Sequence, residues 1–282
     1  MKRYCSLMLL IAAAIVFGIG SADAQKVLKV LAVGNSFSED AVEQNLYELA
    51  RVEGDSLVIG NAYIGGCSID RHWSNAQTGK AEYGYRKLIG GVKTGKNNVT
   101  LEEIVRDEPW DIITVQQASP LSGQFETYGN LQNLINYLRQ TAVNKDFRLA
   151  FHMTWAYAQV NKHSGFANYS NDQMTMYRSI LGAVKQATKK NKIKYVIPDG
   201  TAIQNARVVL GDSLCRDGYH LSLSIGRYIV ACTWCEFLTG KNVVGNTFLP
   251  ASVTAEKAAV AQKAAHFAIK RPYKLSASKM KK

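Results

Sequence analysis

Val27-Leu28-Lys29-Val30-Leu31-Ala32-Val33-Gly34-Asn35-Ser36-Phe37-Ser38 is the stretch on which the fold turns. Six of its first seven residues are apolar, three of them β-branched, and a turn signal follows directly, which predicts a buried strand. Ser38 is placed to cap a helix whose apolar positions Val42, Leu46 and Leu49 recur at i, i+4 and i+7, with Gly54 just past its end. The same alternation continues along the chain. Strand-like runs fall near 57–63, 111–116, 148–153 and 193–197, with helical patterns at 101–107, 131–143 and 173–189. The stretch 225–238 is apolar nearly all round and 255–269 is alanine-rich, and both read as helices. Strand–helix–strand alternation implies parallel pairing with helices covering both sheet faces. The expected fold is therefore α/β, a parallel sheet with helices on both faces. Ligands of such sheets bind beyond the carboxyl ends of the strands, so functional candidates are sought there.

With 282 residues, 47% hydrophobic and 20% charged, the composition is that of an ordinary globular protein and excludes a disordered or collagen-like chain. No repeat of 20–50 residues suggests a solenoid. Residues 1–24 read as a signal peptide. Lys2 and Arg3 precede the apolar run 7–20, and Ala22-Asp23-Ala24 offers small residues for cleavage, so the mature chain is expected to begin at Gln25. That run is short for a membrane span and no later segment approaches 18 apolar residues. An exported protein, periplasmic or secreted and without an integral membrane segment after cleavage, is expected. Residues 25–270 read as one domain and 271–282 as a basic tail. The formal charge is +12, and loss of Lys2, Arg3 and Asp23 makes it +11. Much of the excess lies at 185–194 and 270–282, which reads as solvated faces or frayed ends. A nucleic-acid partner would want basic residues interleaved with aromatics on one face, and with export expected none is foreseen.

Four strand-end segments carry chemistry. Gly34-Asn35-Ser36 places a serine at a strand-to-helix turn, where its own N–H is among the helix's unpaired donors. Gly65-Gly66 permits a tight turn and close approach of a ligand to a backbone N–H. Gln116-Gln117 sets two amides directly after an apolar strand, which costs stability unless they are hydrogen-bonded. Asp217-Gly218-Tyr219-His220 puts a carboxylate three residues before an imidazole. There it can accept from one ring nitrogen and leave the other free to take a proton. Each alone also fits a structural role: a capping serine, an ordinary loop, a loop tie, a chance pair.

Together these residues resemble the SGNH/GDSL hydrolase superfamily, and within it an exported family of unknown function often found in gut Bacteroidetes. The resemblance spans nearly the whole mature chain and implies a three-layer α/β/α sandwich around a flavodoxin-like parallel sheet. Gly34-Asn35-Ser36 stands where the superfamily has Gly-Asp-Ser, Gly66 falls at its oxyanion-hole glycine, and Asp217–His220 matches its closing Asp-x-x-His. The third block departs. Gln117-Ala118-Ser119 replaces the usual Gly-x-Asn-Asp and is similar to the Gln-Gly-Glu of carbohydrate acetylesterases, including sialate O-acetylesterases. The resemblance thus implies Ser36 as nucleophile, His220 as base and Asp217 as its orienter. It implies an oxyanion hole of the Ser36 and Gly66 N–H groups and the Gln117 amide, with Gln116 as the competing amide.

The implied function is a serine esterase removing O-acetyl or similar small acyl groups from carbohydrate, with an acylated glycan as partner and neither cofactor nor metal. Trp73 and Trp155 are candidate substrate contacts, since aromatics stack on sugar rings, although packing at a loop base would also account for them. Cys67 and Cys215 should flank the same crevice and are expected to form a disulfide in an oxidising compartment. A zinc site of Cys215, His220, Cys232 and Cys235 is disfavoured, because the last two fall mid-helix. A lipid-directed esterase or thioesterase on the same fold, and a non-catalytic glycan-binding module, are the competing readings.

Overall fold

A computed structural model describes residues 27–281. The signal-peptide reading of 1–24, and the start at Gln25, lie outside the described residues. The elements run β1 (Val27–Gly34), α1 (Ser36–Val42), α2 (Leu46–Val52), β2 (Ser56–Tyr63), α3 (Ile69–Thr78), β3 (Tyr83–Ile89), β4 (Val92–Val99), α4 (Leu101–Asp107) and β5 (Ile112–Val115). They continue α5 (Leu131–Thr141), β6 (Arg148–His152), α6 (Gln173–Lys190), β7 (Tyr195–Ile197), α7 (Asp199–Leu210), α8 (Ile225–Thr239), α9 (Ala255–Lys270) and α10 (Ala277–Met280).

One seven-stranded sheet has the order β4-β3-β2-β1-β5-β6-β7. The five strands β2-β1-β5-β6-β7 are parallel and keep the flavodoxin-like arrangement, but β3 and β4 add an antiparallel hairpin at one edge. The parallel sheet of the sequence reading is therefore a mixed one. Val92–Val99 is almost wholly exposed, so it lacks the apolar alternation that identifies a strand. α8 packs against α1, α2, α7 and α9, while α3, α4 and α5 pack on one another. The all-round apolarity of α8 follows from this, since nearly every residue from Ile225 to Glu236 is buried.

Two further expectations are corrected. The single helix read from Ser38 to Gly54 is two, because Asn45 adopts a left-handed conformation (φ 69°) between them, and the cap is Asn35 rather than Ser38. The basic tail is not frayed up to residue 281. Tyr273 and Leu275 pack on the core, Met280 is buried, Ser276 N–H donates to Asn205 Oδ1 (2.8 Å) and Thr201 Oγ1–H to Pro272 O (2.5 Å). Its apolar residues, not its lysines, decide its position.

β1 pairs with β2 on one side and β5 on the other, so the chain's direction of travel across the sheet reverses there. A crevice opens at the carboxyl ends of strands at such a point, and Ser36 follows directly.

Candidate active site

Ser36 is the first residue of α1. Asn35 caps the helix by accepting from Phe37 N–H through Oδ1 (2.9 Å), and its Nδ2–H donates to Cys67 O (3.0 Å). The Ser36 turn is thereby fastened to the Gly65-Gly66 loop. Gly34 is required by crowding: a Cβ there would lie 2.6 Å from Ser38 Oγ and 2.7 Å from Gln116 Oε1. Gly66 has a φ of +62°, a conformation that favours glycine. Among the described residues, neither the Ser36 nor the Gly66 N–H has an acceptor.

His220 Nε2 lies 2.8 Å from Ser36 Oγ, and His220 Nδ1 lies 2.6 Å from Asp217 Oδ2. The turn that carries them is closed by Arg216 N–H to His220 O (2.8 Å) and Ser222 N–H to Leu214 O (2.8 Å), with Gly218 at φ +90°. Asp217 Oδ1 also accepts from the N–H groups of Tyr219 (3.1 Å) and His220 (2.8 Å). Partial burial opposes its charge, but these bonds outweigh that and hold its carboxyl below the ordinary range. An ionised carboxylate on Nδ1 fixes the tautomer with its lone pair on Nε2, facing the serine hydroxyl.

Sequence reasoning missed Asp40. Fully buried on α1, it accepts from Leu221 N–H (2.7 Å), Arg216 Nη1 (3.1 Å) and Arg227 Nε (2.9 Å). The imidazole's turn is thus tied to the helix that carries Ser36. An acidic residue in a short helix gives no sequence signal of this, because its three partners lie far along the chain.

The cavity at Ser36 and His220 has a volume of about 420 Å³, and its wall includes Tyr63, Gly66, Ser119, Pro120, His163 and Tyr219. His163 was also missed. Its Nδ1 accepts from Gly165 N–H (3.0 Å), so the neutral ring carries its hydrogen on Nε2. Its ring stands edge-on to that of Tyr219, centroids 5.2 Å apart.

Three expectations are corrected here. Gln117 does not reach the cavity. Its Oε1 accepts from Ile69 N–H (3.1 Å) and Ala118 N–H (2.8 Å), and its amide donates to Thr127 O (2.8 Å) and Oγ1 (3.1 Å). Trp155 is fully buried, stacked on Phe37 at 4.2 Å and donating to Tyr219 O (2.8 Å), so it buttresses the site from behind. Trp73 is half-buried on α3 against the core and outside the cavity wall. Cys67 and Cys215 are unbridged: Cys67 is sealed in the core, and the Cys215 thiol faces Arg207 and Asp212.

A family model described as "Domain of unknown function (DUF4886)" matches residues 29–268. A solved DUF4886 family protein from Bacteroides uniformis is 50% identical, with coverage of 89% of this chain and 98% of that one, and a TM-score of 0.87. More distant similarity extends to a catalytic mutant of Axe2, an acetylxylan esterase from Geobacillus stearothermophilus (12% identity, 75% and 94% coverage, TM-score 0.49). It extends also to a family 3 carbohydrate esterase from Clostridium thermocellum (16%, 75% and 95%, 0.45). No curated protein matches the chain. With a family model covering most of its length and half its residues identical to a solved member, the chain belongs to the DUF4886 family.

Proposed function

We propose that the protein is a serine carboxylic ester hydrolase acting on O-acylated carbohydrate, most simply O-acetyl groups, through an acyl-enzyme. The observation that carries this reading is the 2.8 Å contact between Ser36 Oγ and His220 Nε2, with Asp217 fixing the other ring nitrogen. In the first half-reaction Ser36 Oγ bonds to the ester carbonyl carbon while its proton passes to His220 Nε2. The carbonyl electron pair moves to oxygen, where the N–H groups of Ser36 and Gly66 meet it. On collapse the C–O bond to the sugar breaks and His220 returns the proton to the departing alcohol. Water repeats the sequence on the acyl-enzyme, releasing the acid and restoring Ser36. The two donors favour the transition state over the ground state because the charge exists only there.

The carbohydrate part rests on the cavity wall, where Tyr63, Ser119, His163 and Tyr219 combine aromatic faces with polar edges. A fatty chain would call for a longer apolar cleft. Export through cleavage before Gln25 belongs to the same reading; among the described residues no helix is long and apolar enough to cross a membrane. Intact mass of the protein recovered from its native host should begin at Gln25.

The deciding test compares p-nitrophenyl acetate with a long-chain p-nitrophenyl ester, each repeated with Ser36→Ala, alongside acetate release from acetylated polysaccharides. Turnover of the short ester that Ser36→Ala abolishes is expected. Preference for the long chain would instead indicate a lipid-directed enzyme, and no turnover of any ester a binding module.

A further inference from the structure

Behind the Ser36 turn a line of buried polar groups crosses the molecule to α8. Asn35 Oδ1 accepts from Gln116 Nε2–H (2.8 Å), and Gln116 Oε1 lies 2.8 Å from His152 Nδ1. His152 Nε2 lies 2.8 Å from Asp199 Oδ2, which also accepts from Trp234 Nε1–H (2.9 Å). Asn35, Gln116, His152, Asp199 and Trp234 are each at most 2% exposed. The proposed reaction uses none of the last four.

The direction of each bond is forced by what its partner can do. Cys67 O only accepts, so Asn35 turns Nδ2 toward it and Oδ1 toward the Phe37 N–H. Oδ1 only accepts, so Gln116 must present its amino group there, which leaves its Oε1 for the imidazole. Oε1 in turn only accepts, so the hydrogen on His152 Nδ1 is obligatory. What remains is Nε2 against a carboxylate oxygen. A neutral ring protonated on Nδ1 has a lone pair on Nε2, and an ionised carboxylate has only lone pairs. Two acceptors do not rest 2.8 Å apart in a dry interior unless another proton joins the pair. The oxygen sits off the Nε2–H axis, so the contact has ion-pair rather than straight hydrogen-bond geometry. The groups facing the pair are the Gln116 amide, the indoles of Trp155 and Trp234, and the Thr233 hydroxyl, and none of these is charged. Burial presses the Asp199 carboxyl upward, against the opposing pull of His152 and Trp234.

We infer that His152 and Asp199 hold one trapped proton and act, through Gln116, as positioning residues for the oxyanion hole. Asn35 is the joint. Its two ends grip the neighbours of both backbone donors, Phe37 beside Ser36 and Cys67 beside Gly66. If its amide rotated by half a turn, Nδ2 would face both the Phe37 N–H and the Gln116 amino group, donor against donor. The chain from Asp199 forbids that rotation and so fixes the spacing of the two N–H groups. The catalytic consequence rests on the esterase reading, whereas the trapped proton and the Asn35 lock do not.

The test uses the mature chain, with p-nitrophenyl acetate as substrate and histidine labelled with ¹⁵N. Gln116→Leu should lower kcat about 10²-fold with KM within about twofold, since the donors act in the transition state. Asp199→Asn, which keeps a hydrogen to share with Nε2, should stay within about tenfold of wild type, whereas a purely structural role would move kcat, KM and Tm together. In the wild type at pH 7, the His152 nitrogen shifts should mark Nδ1 as bearing a hydrogen and Nε2 as sharing one with Asp199. In Gln116→Leu the Phe37 N–H should lose protection from hydrogen exchange. His152 nitrogen shifts that mark either ring position as bare of hydrogen, or a folded Gln116→Leu with unchanged kcat and unchanged Phe37 protection, would overturn the inference. If wild type hydrolyses no ester, the esterase reading fails alone, and the nitrogen shifts and Phe37 exchange still decide the relay.

Discussion

Asp40 shows how one side chain outside the Ser36–His220 contact governs its geometry. Buried with two arginines and a backbone N–H on its carboxylate, it is the partner whose loss leaves charge stranded. Asp40→Ala should cost about 3–5 kcal/mol in urea denaturation, the range for removing one member of a buried ion pair. A loss below about 1 kcal/mol would mean that Arg227 and Arg216 find water instead. Asp217 behaves differently. Because its folded carboxyl is held below the ordinary range, its contribution is complete above about pH 4 and fades only as pH falls through the depressed value. Asp217→Asn should therefore lower kcat by roughly 10³–10⁴ across the neutral range, and in the wild type any acid limb above about pH 4 belongs to another group. His163→Phe should raise KM for an acetylated glycan while leaving p-nitrophenyl acetate turnover within about twofold, the pattern for lost leaving-group binding. Ser36, Gly66, Asp217 and His220 were legible because each occupies a strand end or a compact turn. His163 was not, since it sits in a long loop without a pattern, and Asp40 was hidden by the distance to its partners.

At the level of elements, two adjacent amides after β5 went to opposite tasks. Successive residues of an extended segment point to opposite sides, and sequence alone does not say which side is the crevice. Gln116 faces Asn35, whereas Gln117 laces α3 to the loop before α5. Gln117→Ala should thus cost about 1–3 kcal/mol of stability through unsatisfied partners. Its kcat should fall less than about tenfold, short of the 10²–10³ loss expected of an oxyanion donor. Helices α4, α5, α6, α8 and α9 were readable because a buried stripe or an apolar run leaves a periodic trace. The β3–β4 hairpin was not, because β4 pairs through its backbone while nearly all its side chains face water. The break at Asn45 was equally hidden, because the apolar spacing runs unbroken across it.

For the whole molecule, the class and the parallel half of the sheet followed from alternation alone, and the antiparallel edge and the packed C-terminal segment did not. The four cysteines among the described residues contribute as core filler. Burial pushes Cys67 up to about 12 and Cys215 up to about 11, so both should resist a maleimide at pH 8 in the native protein and react once it is unfolded. Rapid native labelling of either would show that the crevice loops open. The seven-residue helix α1 carries both Ser36 and the aspartate that grips the imidazole's turn. When that helix shifts, the Ser36 hydroxyl and the His220 imidazole travel as passengers on the same raft. Loops in the long stretch of chain between them can thereby change length without altering the Ser36–His220 spacing.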